Sequence, residues 1–295
     1  MKSGFVSIVG RPNVGKSTLL NTILETKLAI TSDKAGTTRN VIQGVYEDSD
    51  SQIVFVDTPG IHKPVNKLGN ILNKKAYQTS DNVDLILFLV DVEKGIGRGD
   101  LFVLDKLKKE NLPIILVLNK VDRISKDSLL EIIMKYKDLY DFSEIFPISA
   151  LKNDNVNALI KTIKKYLPNE GKIFLDDTFT NISTNFYISE IIREKVLRKT
   201  RQEVPHTVTC LVEKKVEEDT KVIIQAVIIV DRESIKKIIV GKNASMLKSI
   251  GIDARCDLEE YFGKKVYLEL FVKVIENWRD KEKYLKELGL SELES

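Results

Sequence analysis

Cysteine is nearly absent from this sequence: only Cys210 and Cys256 occur among 295 residues. They match no metal-ligand spacing and neither is a nucleophile with an evident histidine partner, so both are expected to be buried reduced thiols. Histidine is as scarce. His62 and His206 are isolated, and neither is assigned a catalytic role. No apolar run approaches the roughly 20 residues that a membrane-spanning helix needs; Leu85 to Val90 and Ile114 to Leu118 are among the longest. The stretch MKSGFVSIVG passes from Met1 straight into a strand pattern, without an apolar signal core or a small-residue cleavage site, so a cytoplasmic chain is expected. Nor does one sign of charge dominate. Lysine and arginine number 46 against 43 aspartates and glutamates, a net charge of +3, so any basic surface has to be local.

What is present suits packed cores. With 43% hydrophobic and 30% charged residues, the composition excludes wholesale disorder, a collagen-like repeat and a disulfide scaffold. At roughly 100 to 200 residues per domain, the length suits two modules.

From Phe5 to about Leu167, short apolar runs alternate with longer amphipathic ones, the pattern of parallel strands joined by crossover helices. Strands are predicted at Phe5 to Val9, Ile53 to Val56, Leu85 to Val90, Ile114 to Leu118 and Ile145 to Ile148. Val41 to Tyr46 pairs with Ile53 to Val56 through a polar turn. Apolar residues spaced three and four apart predict helices at Ser17 to Leu24, Asp100 to Lys109, Ser128 to Tyr140 and Asn155 to Leu167. The first module, residues 1–170, is therefore a doubly wound, mostly parallel α/β sheet. A linker is placed at 171–184, after the helix stop Pro168-Asn169-Glu170-Gly171. In residues 185–295 the order becomes helix, two strands, a helix pair around Gly241, a strand and a last helix from Trp278 to Leu288, an α+β arrangement.

Directly after the first strand stands Gly10-Arg11-Pro12-Asn13-Val14-Gly15-Lys16-Ser17, with Thr18 next, opening into a helix. This is the P-loop pattern G-x-x-x-x-G-K-[ST] in its required context. Glycines let backbone N–H groups curl around a β-phosphate, and the positive helix end faces it. Lys16 bridges β- and γ-phosphate oxygens, and the Ser17 hydroxyl ligates Mg²⁺. The strand Ile53 to Val56 ends in Asp57-Thr58-Pro59-Gly60, where a carboxylate can hold a magnesium-bound water and the Gly60 N–H can meet the γ-phosphate.

The next motif selects the base. In Asn119-Lys120-Val121-Asp122, the Asp122 carboxylate accepts from guanine N1–H and its exocyclic amine, whereas adenine offers neither donor there. Ser149-Ala150-Leu151, after the following strand, places a backbone N–H against the guanine carbonyl, with Lys120 packed along the base. Four motifs in order, each at a strand end, make the first module resemble the translation-factor-related GTPases over residues 1–167.

By that resemblance, Thr38 in Ala35-Gly36-Thr37-Thr38-Arg39-Asn40 reaches Mg²⁺, with Thr37 as the neighbouring alternative, so Lys16, Thr38, Asp57 and Gly60 form the reaction centre. Ile61 occupies the position where many GTPases carry a water-orienting glutamine, and an isoleucine cannot do that. Asn13 resembles the asparagine of GTPases that recruit K⁺ beside the phosphates, where the cation takes the charge role of an arginine finger; a plain loop cap is its alternative role. Slow, potassium-stimulated hydrolysis is expected.

From residue 171 onward, 22 basic residues balance 22 acidic ones. The balance is uneven along the chain, however. Arg232, Lys236, Lys237, Lys242 and Lys248 surround Gly241-Lys242-Asn243-Ala244 at a helix-loop-helix turn. The element order resembles a type II KH domain, whose G-x-x-G loop clamps a single-stranded nucleic-acid backbone, although the fourth loop position here is Ala244. Ile238 to Val240, Met246, Leu247 and Ile250 are expected to form the apolar floor under the bases. Trp278 is read as a packing residue.

A GTPase module followed by a KH-like module resembles the bacterial Era family over nearly the whole chain, Ala254-Arg255, Leu268 to Val274 and Trp278 included. The resemblance implies GTP and GDP as ligands, Mg²⁺ and K⁺ as cofactors, and the 3′ end of small-subunit (16S) ribosomal RNA as partner. It also implies a role in maturing the small (30S) ribosomal subunit and peripheral association with the inner membrane face. With no long heptad pattern, a monomer is expected. Two other classes share part of the pattern. A P-loop kinase or ATPase conflicts with the Asn119 to Asp122 quartet; a GTPase whose second module binds protein is the other.

Overall fold

The computed structural model describes residues 1–34, 36–61, 68, 70–72, 74, 83–174, 179–200 and 204–287. Ala35, His62 and residues 63–67 and 69 after Gly60, and Leu288 lie outside the described residues. Two contact units emerge: Met1–Ala29 with Thr38–Val65 and Gly69–Asn181, and Ile30–Thr37 with Asn66–Leu68 and Ile182–Ser295.

In the first unit the strands are β1 (Lys2–Val9), β2 (Ile42–Glu47), β3 (Ser51–Asp57), β4 (Leu85–Asp91), β5 (Ile114–Asn119) and β6 (Glu144–Ile148). They form one sheet in the order β2-β3-β1-β4-β5-β6, with only β2–β3 antiparallel. Every residue of β3, β4 and β5 is buried, as unbroken apolar runs require when helices cover both faces. Among the described residues its helices include α1 (Lys16–Leu24), α2 (Arg98–Leu107), α3 (Lys126–Lys137) and α4 (Val156–Ile163). Chain order reverses on either side of β1, so the loop after Val9 opens at the topological switch point, where α/β sheets bind ligands.

Residues 171–174 and 179–181 pack within this first unit. Gln52, 1% exposed, accepts from the Ile173 and Phe174 N–H groups at 2.8 and 2.9 Å, and Val45 N–H donates to the Phe179 carbonyl at 3.0 Å along the outer strand β2.

The second unit contains α5 (Thr184–Lys199), α6 (Val204–Thr207), β7 (Val208–Glu217), β8 (Lys221–Val230), α7 (Glu233–Val240), α8 (Ser245–Phe262), β9 (Lys265–Val274) and α9 (Glu282–Glu287). β8 lies centrally, antiparallel to β7 and parallel to β9. Alternate residues Val222, Ile224, Ala226 and Ile228 face the core formed with Ile188, Ile192, Ile250, Ala254 and Leu258 of the helices. Three successive charged residues of α5, Arg193, Glu194 and Lys195, are buried, and each finds partners: Arg193 donates to Glu190 and the Thr37 carbonyl, Glu194 accepts from Thr31 N–H at 3.0 Å, and Lys195 reaches Asp257.

Three expectations are corrected here. Cys210 is buried, but Cys256 is exposed on α8. The last helix does not start at Trp278: a 3-10 turn at Trp278–Asp280 comes first, after Asn277 takes a left-handed φ of 52°, and α9 follows once Lys281 is extended. The short helix α6 was not foreseen. Trp278 itself is wholly buried, its indole N–H donating to the Thr207 carbonyl at 2.8 Å.

Two stability tests follow. Trp278→Ala should cost about 3–5 kcal/mol in denaturant unfolding, because a filled site is emptied and a buried carbonyl loses its donor. The second concerns Asp48, which lies 2.6 Å from the Lys164 ammonium. Burial pushes the Asp48 carboxyl up, but hydrogen bonds from Lys164 and Ser51 outweigh it and hold the group well below the usual carboxylate range. A depressed folded-state value means stability present above the ordinary value of 3.8 and lost as pH falls below it. The melting-temperature loss caused by Lys164→Met should therefore stay constant from pH 7 down to about 4 and shrink only as the pH is lowered below the ordinary carboxylate value of 3.8.

Candidate nucleotide site and nucleic-acid groove

The loop between β1 and α1 is shaped from several sides. Gly15 has φ 104°, and a Cβ there would sit 2.3 Å from the Asn119 side-chain nitrogen. That nitrogen donates to the Val14 carbonyl at 2.8 Å, while Asn119 Oδ1 accepts from Ala150 N–H at 2.9 Å. One amide thus ties together the phosphate loop, the end of β5 and the segment after β6. The Lys120 ammonium extends the tie. It donates to the Asn13 carbonyl at 3.1 Å and pairs with Asp91 at 2.6 Å. Asn13 itself has φ 67°, the left-handed turn that curls the loop.

At the start of α1, Lys16 is 6% exposed, and its ammonium donates to the Gly10 and Arg11 carbonyls at 3.2 Å each. Burial lowers its pKa to about 8, against the opposing charge of Asp57. The first turn of α1 carries no acidic residue, so the positive helix end is uncompensated there.

Ser17, Thr38 and Asp57 converge. Ser17 Oγ lies 2.7 Å from Asp57 Oδ2 and 2.9 Å from Thr38 Oγ1, and Thr38 Oγ1 lies 3.5 Å from the same carboxylate oxygen. Asp57 is wholly buried and its other oxygen, Oδ1, has no hydrogen-bond partner among the described residues. Burial raises its pKa to about 6, partly offset by Lys16, Ser17 and Thr38. A buried, unsatisfied carboxylate oxygen beside two hydroxyls is an oxygen set that suits Mg²⁺. Thr37 takes no part: its hydroxyl pairs with Ser32 and the Lys34 carbonyl, both at 2.7 Å. Gly60 is pressed against the loop, since a Cβ there would lie 2.9 Å from Pro12, and the next N–H, of Ile61, donates to the Gly10 carbonyl at 3.4 Å. Ile61 is 2% exposed and packs into the core.

Around the base position, Asp122 is exposed in the 3-10 turn Val121–Arg123, and Leu151 is 69% exposed. Ser149 is buried and bridged to Asp154. Gly10, Val14 and Thr18 complete the loop and the first helical turn. The structure thus brings the loop, Asp57, Gly60, Asn119, Lys120 and residues 149–151 to one end of the sheet. Asp91, the partner of Lys120, was missed; its only signal was a carboxylate closing an apolar strand.

In the second unit, the turn Gly241–Ala244 joins α7 to α8 with positive φ at Gly241, Asn243 and Ala244. Ala244 takes this left-handed conformation at the N-cap of α8, which costs a non-glycine residue roughly 1–2 kcal/mol. Arg232, Lys237, Lys242, Asn243 and Lys248 are exposed and Lys236 is half-buried. Beside the turn, a groove of about 670 Å³ runs between α8 and β9, lined by Ala244, Leu247, Lys248, Gly251, Ile252, Arg255, Leu268 and Leu270 among others. Its floor differs from the expected one. Ile239 and Ile250 are wholly buried in the core and cannot meet a base; Leu247 lines the groove as expected, and Ile252, Leu268 and Leu270 line it with Leu247. Arg255 and Ile252 were missed as groove residues because helical periodicity alone does not say which strand faces α8.

A P-loop nucleotide site on a doubly wound sheet, with a separate helix-flanked groove beside a glycine turn, defines a two-domain nucleotide-binding protein. A family model described as 50S ribosome-binding GTPase matches residues 5–120, and one described as KH domain matches residues 203–279. The fold is similar, at TM-score 0.96 and 42% identity over 99% of this chain and all of the other, to Era in complex with MgGDPNP and nucleotides 1506–1542 of 16S ribosomal RNA. It is likewise similar, at TM-score 0.95 and 42% identity over the same shares, to a point variant of Era from Aquifex aeolicus bound to GDP and AlF₄⁻. The chain belongs to the Era family of GTPases.

The Asn119 tie can be tested directly. Asn119→Ala leaves a buried carbonyl and a buried N–H unpartnered, at about 1–3 kcal/mol each, and should lower GDP affinity more than tenfold in a fluorescent-nucleotide titration. Gly15→Ala should abolish binding outright in the same titration, since its methyl would overlap the Asn119 amide and demand a left-handed alanine.

Proposed function

We propose that this chain is a GTP-hydrolysing switch that binds the 3′ end of 16S ribosomal RNA and assists maturation of the small ribosomal subunit. The observation that carries the reading is the convergence of Lys16, Ser17, Thr38 and Asp57 at the sheet's switch point, in a chain 42% identical to Era proteins solved with a GTP analogue, with GDP and with that RNA. The domain division proposed is 1–170, a linker at 171–184 and 185–295; the unit break between Asn181 and Ile182 falls inside that linker.

In this reading, Gly10, Asn13, Val14, Gly15, Lys16, Ser17 and Thr18 hold the phosphates through backbone N–H groups and the Lys16 ammonium. Ser17 and Thr38 supply hydroxyl ligands to Mg²⁺, and Asp57 holds a metal-bound water through its unsatisfied oxygen. Mg²⁺, when bound, neutralises charge on the β- and γ-phosphate oxygens. Gly60 presents its N–H to the γ-phosphate, in a position set by its packing on Pro12. The buried Ile61 side chain cannot orient water, so hydrolysis is slow and K⁺ beside Asn13 supplies charge in place of an arginine finger. Asn119, Lys120, Asp122, Ser149, Ala150 and Leu151 select guanine.

The second unit takes single-stranded RNA along the α8–β9 groove, its backbone clamped at Gly241, Lys242, Asn243 and Ala244 and drawn by Arg232, Lys236, Lys237 and Lys248. Among the described residues no helix is long and apolar enough to cross a membrane. A cytoplasmic monomer, with peripheral association at the inner membrane face, completes the proposal.

Guanine selection is checked by exchanging one atom. Asp122→Asn replaces an acceptor by an amide donor; GTP affinity should fall at least about 100-fold, while affinity for XTP, which carries a carbonyl in place of the amine, should rise. The central experiment is binding of a labelled single-stranded RNA ending in the ribosomal 3′ sequence, with GTP analogue, GDP or neither, at two salt concentrations. Specific binding strengthened by the GTP analogue is expected. Absence of binding in every state would redirect the second unit toward a protein partner.

A further inference from the structure

Arg11, the second residue of the phosphate loop, has no role in the chemistry described above. Its side chain turns away from the phosphate cradle toward the start of α2. Arg11 Nε lies 2.9 Å from Asp100 Oδ1, and a guanidinium N–H reaches the Gly95 carbonyl at 3.5 Å. Gly99 lies against it: a Cβ there would stand in ordinary contact with the Arg11 Cδ, at 3.5 Å. Asp100 is wholly buried and divides its carboxylate. Oδ2 accepts from Gly97 N–H at 2.9 Å, capping α2, and Oδ1 faces Arg11. The Nε–Oδ1 approach lacks hydrogen-bond alignment, so charge rather than direction holds the pair. The Tyr136 hydroxyl from α3 closes the pocket, buried and without a hydrogen-bond partner among the described residues.

We propose that Asp100 and Arg11 form a positioning pair for GTP hydrolysis, pinning the phosphate loop to the N-terminus of α2. The connection is short. Arg11's own carbonyl receives the Lys16 ammonium, and the next residue, Pro12, is the surface on which Gly60 rests. Releasing the guanidinium would let the Arg11 carbonyl and Pro12 shift together, moving both the ammonium and the Gly60 N–H meant for the γ-phosphate. A buried ion pair seldom adds stability over an apolar replacement, so its retention beside the loop suits geometry more than folding.

The inference rests on the GTPase reading, and the parent chain's own hydrolysis tests that reading separately. Asp100→Asn, which keeps an oxygen for Gly97 N–H, and Arg11→Met should each slow single-turnover hydrolysis at saturating GTP about tenfold or more and weaken GDP binding, with little change in melting temperature. The double variant should be no slower than the worse single one, because both remove one contact. Arg11→Lys, which keeps the charge, should lose less than Arg11→Met. Rates and GDP affinities within about twofold of the parent in both single variants, or losses that multiply in the double variant, overturn the proposal. So does a fall in melting temperature alone, which is what a mere helix cap would give. Should the parent hydrolyse nothing, GDP affinity still decides the pair.

Discussion

The amide of Asn119 is the contact on which the rest of the nucleotide site depends. It is 2% exposed, donates to the loop carbonyl of Val14 and accepts from the amide of Ala150. Three loops separated by as much as 136 residues (Ala150 minus Val14) are thereby held in one arrangement by a single planar group. The constraint propagates to composition. Because Asn119 lies so close to the loop, position 15 cannot carry a Cβ, and because Gly60 rests on Pro12, position 60 can carry none either without displacing the loop.

Charge is arranged with similar economy. Lys16 and Asp57 are both buried and face each other's field, so burial moves the lysine down to about 8 and the aspartate up to about 6. Two groups held away from their ordinary values by desolvation are ready to exchange one another's charge for that of an incoming phosphate and metal. Lys120 and Asp91 form an ion pair on the base side, and Arg11 and Asp100 one behind the loop.

Much of this was legible beforehand. The strands β3, β4 and β5 announced themselves as apolar runs, and the four nucleotide motifs stood at strand ends because α/β sheets place their binding loops there. Thr38 and Thr37 could not be separated by adjacent position alone; hydrogen bonds separated them, one hydroxyl turning to Ser17 and the other to Ser32. In the second unit, the glycine turn, its lysines and Leu247 were visible, but Ile239 and Ile250 were misassigned to the floor of the groove. Ile239 and Ile250 are as apolar as Leu247 and Ile252, and only the packing of α8 on the sheet decides which pair is sealed inside.

By itself, then, the sequence determined the local chemistry: glycines where the backbone must turn, a lysine and hydroxyl at a helix start, a carboxylate exposed just beyond a strand end. These are properties of neighbouring residues and of periodicity, and both are written along the chain. Tertiary structure alone decided the partners: Asn119 with Val14 and Ala150, Arg11 with Asp100, Lys120 with Asp91, and Ile252 with the groove. Such pairings join positions far apart in the chain, and their choice follows from strand order and helix rotation about a shared core, which no local pattern encodes.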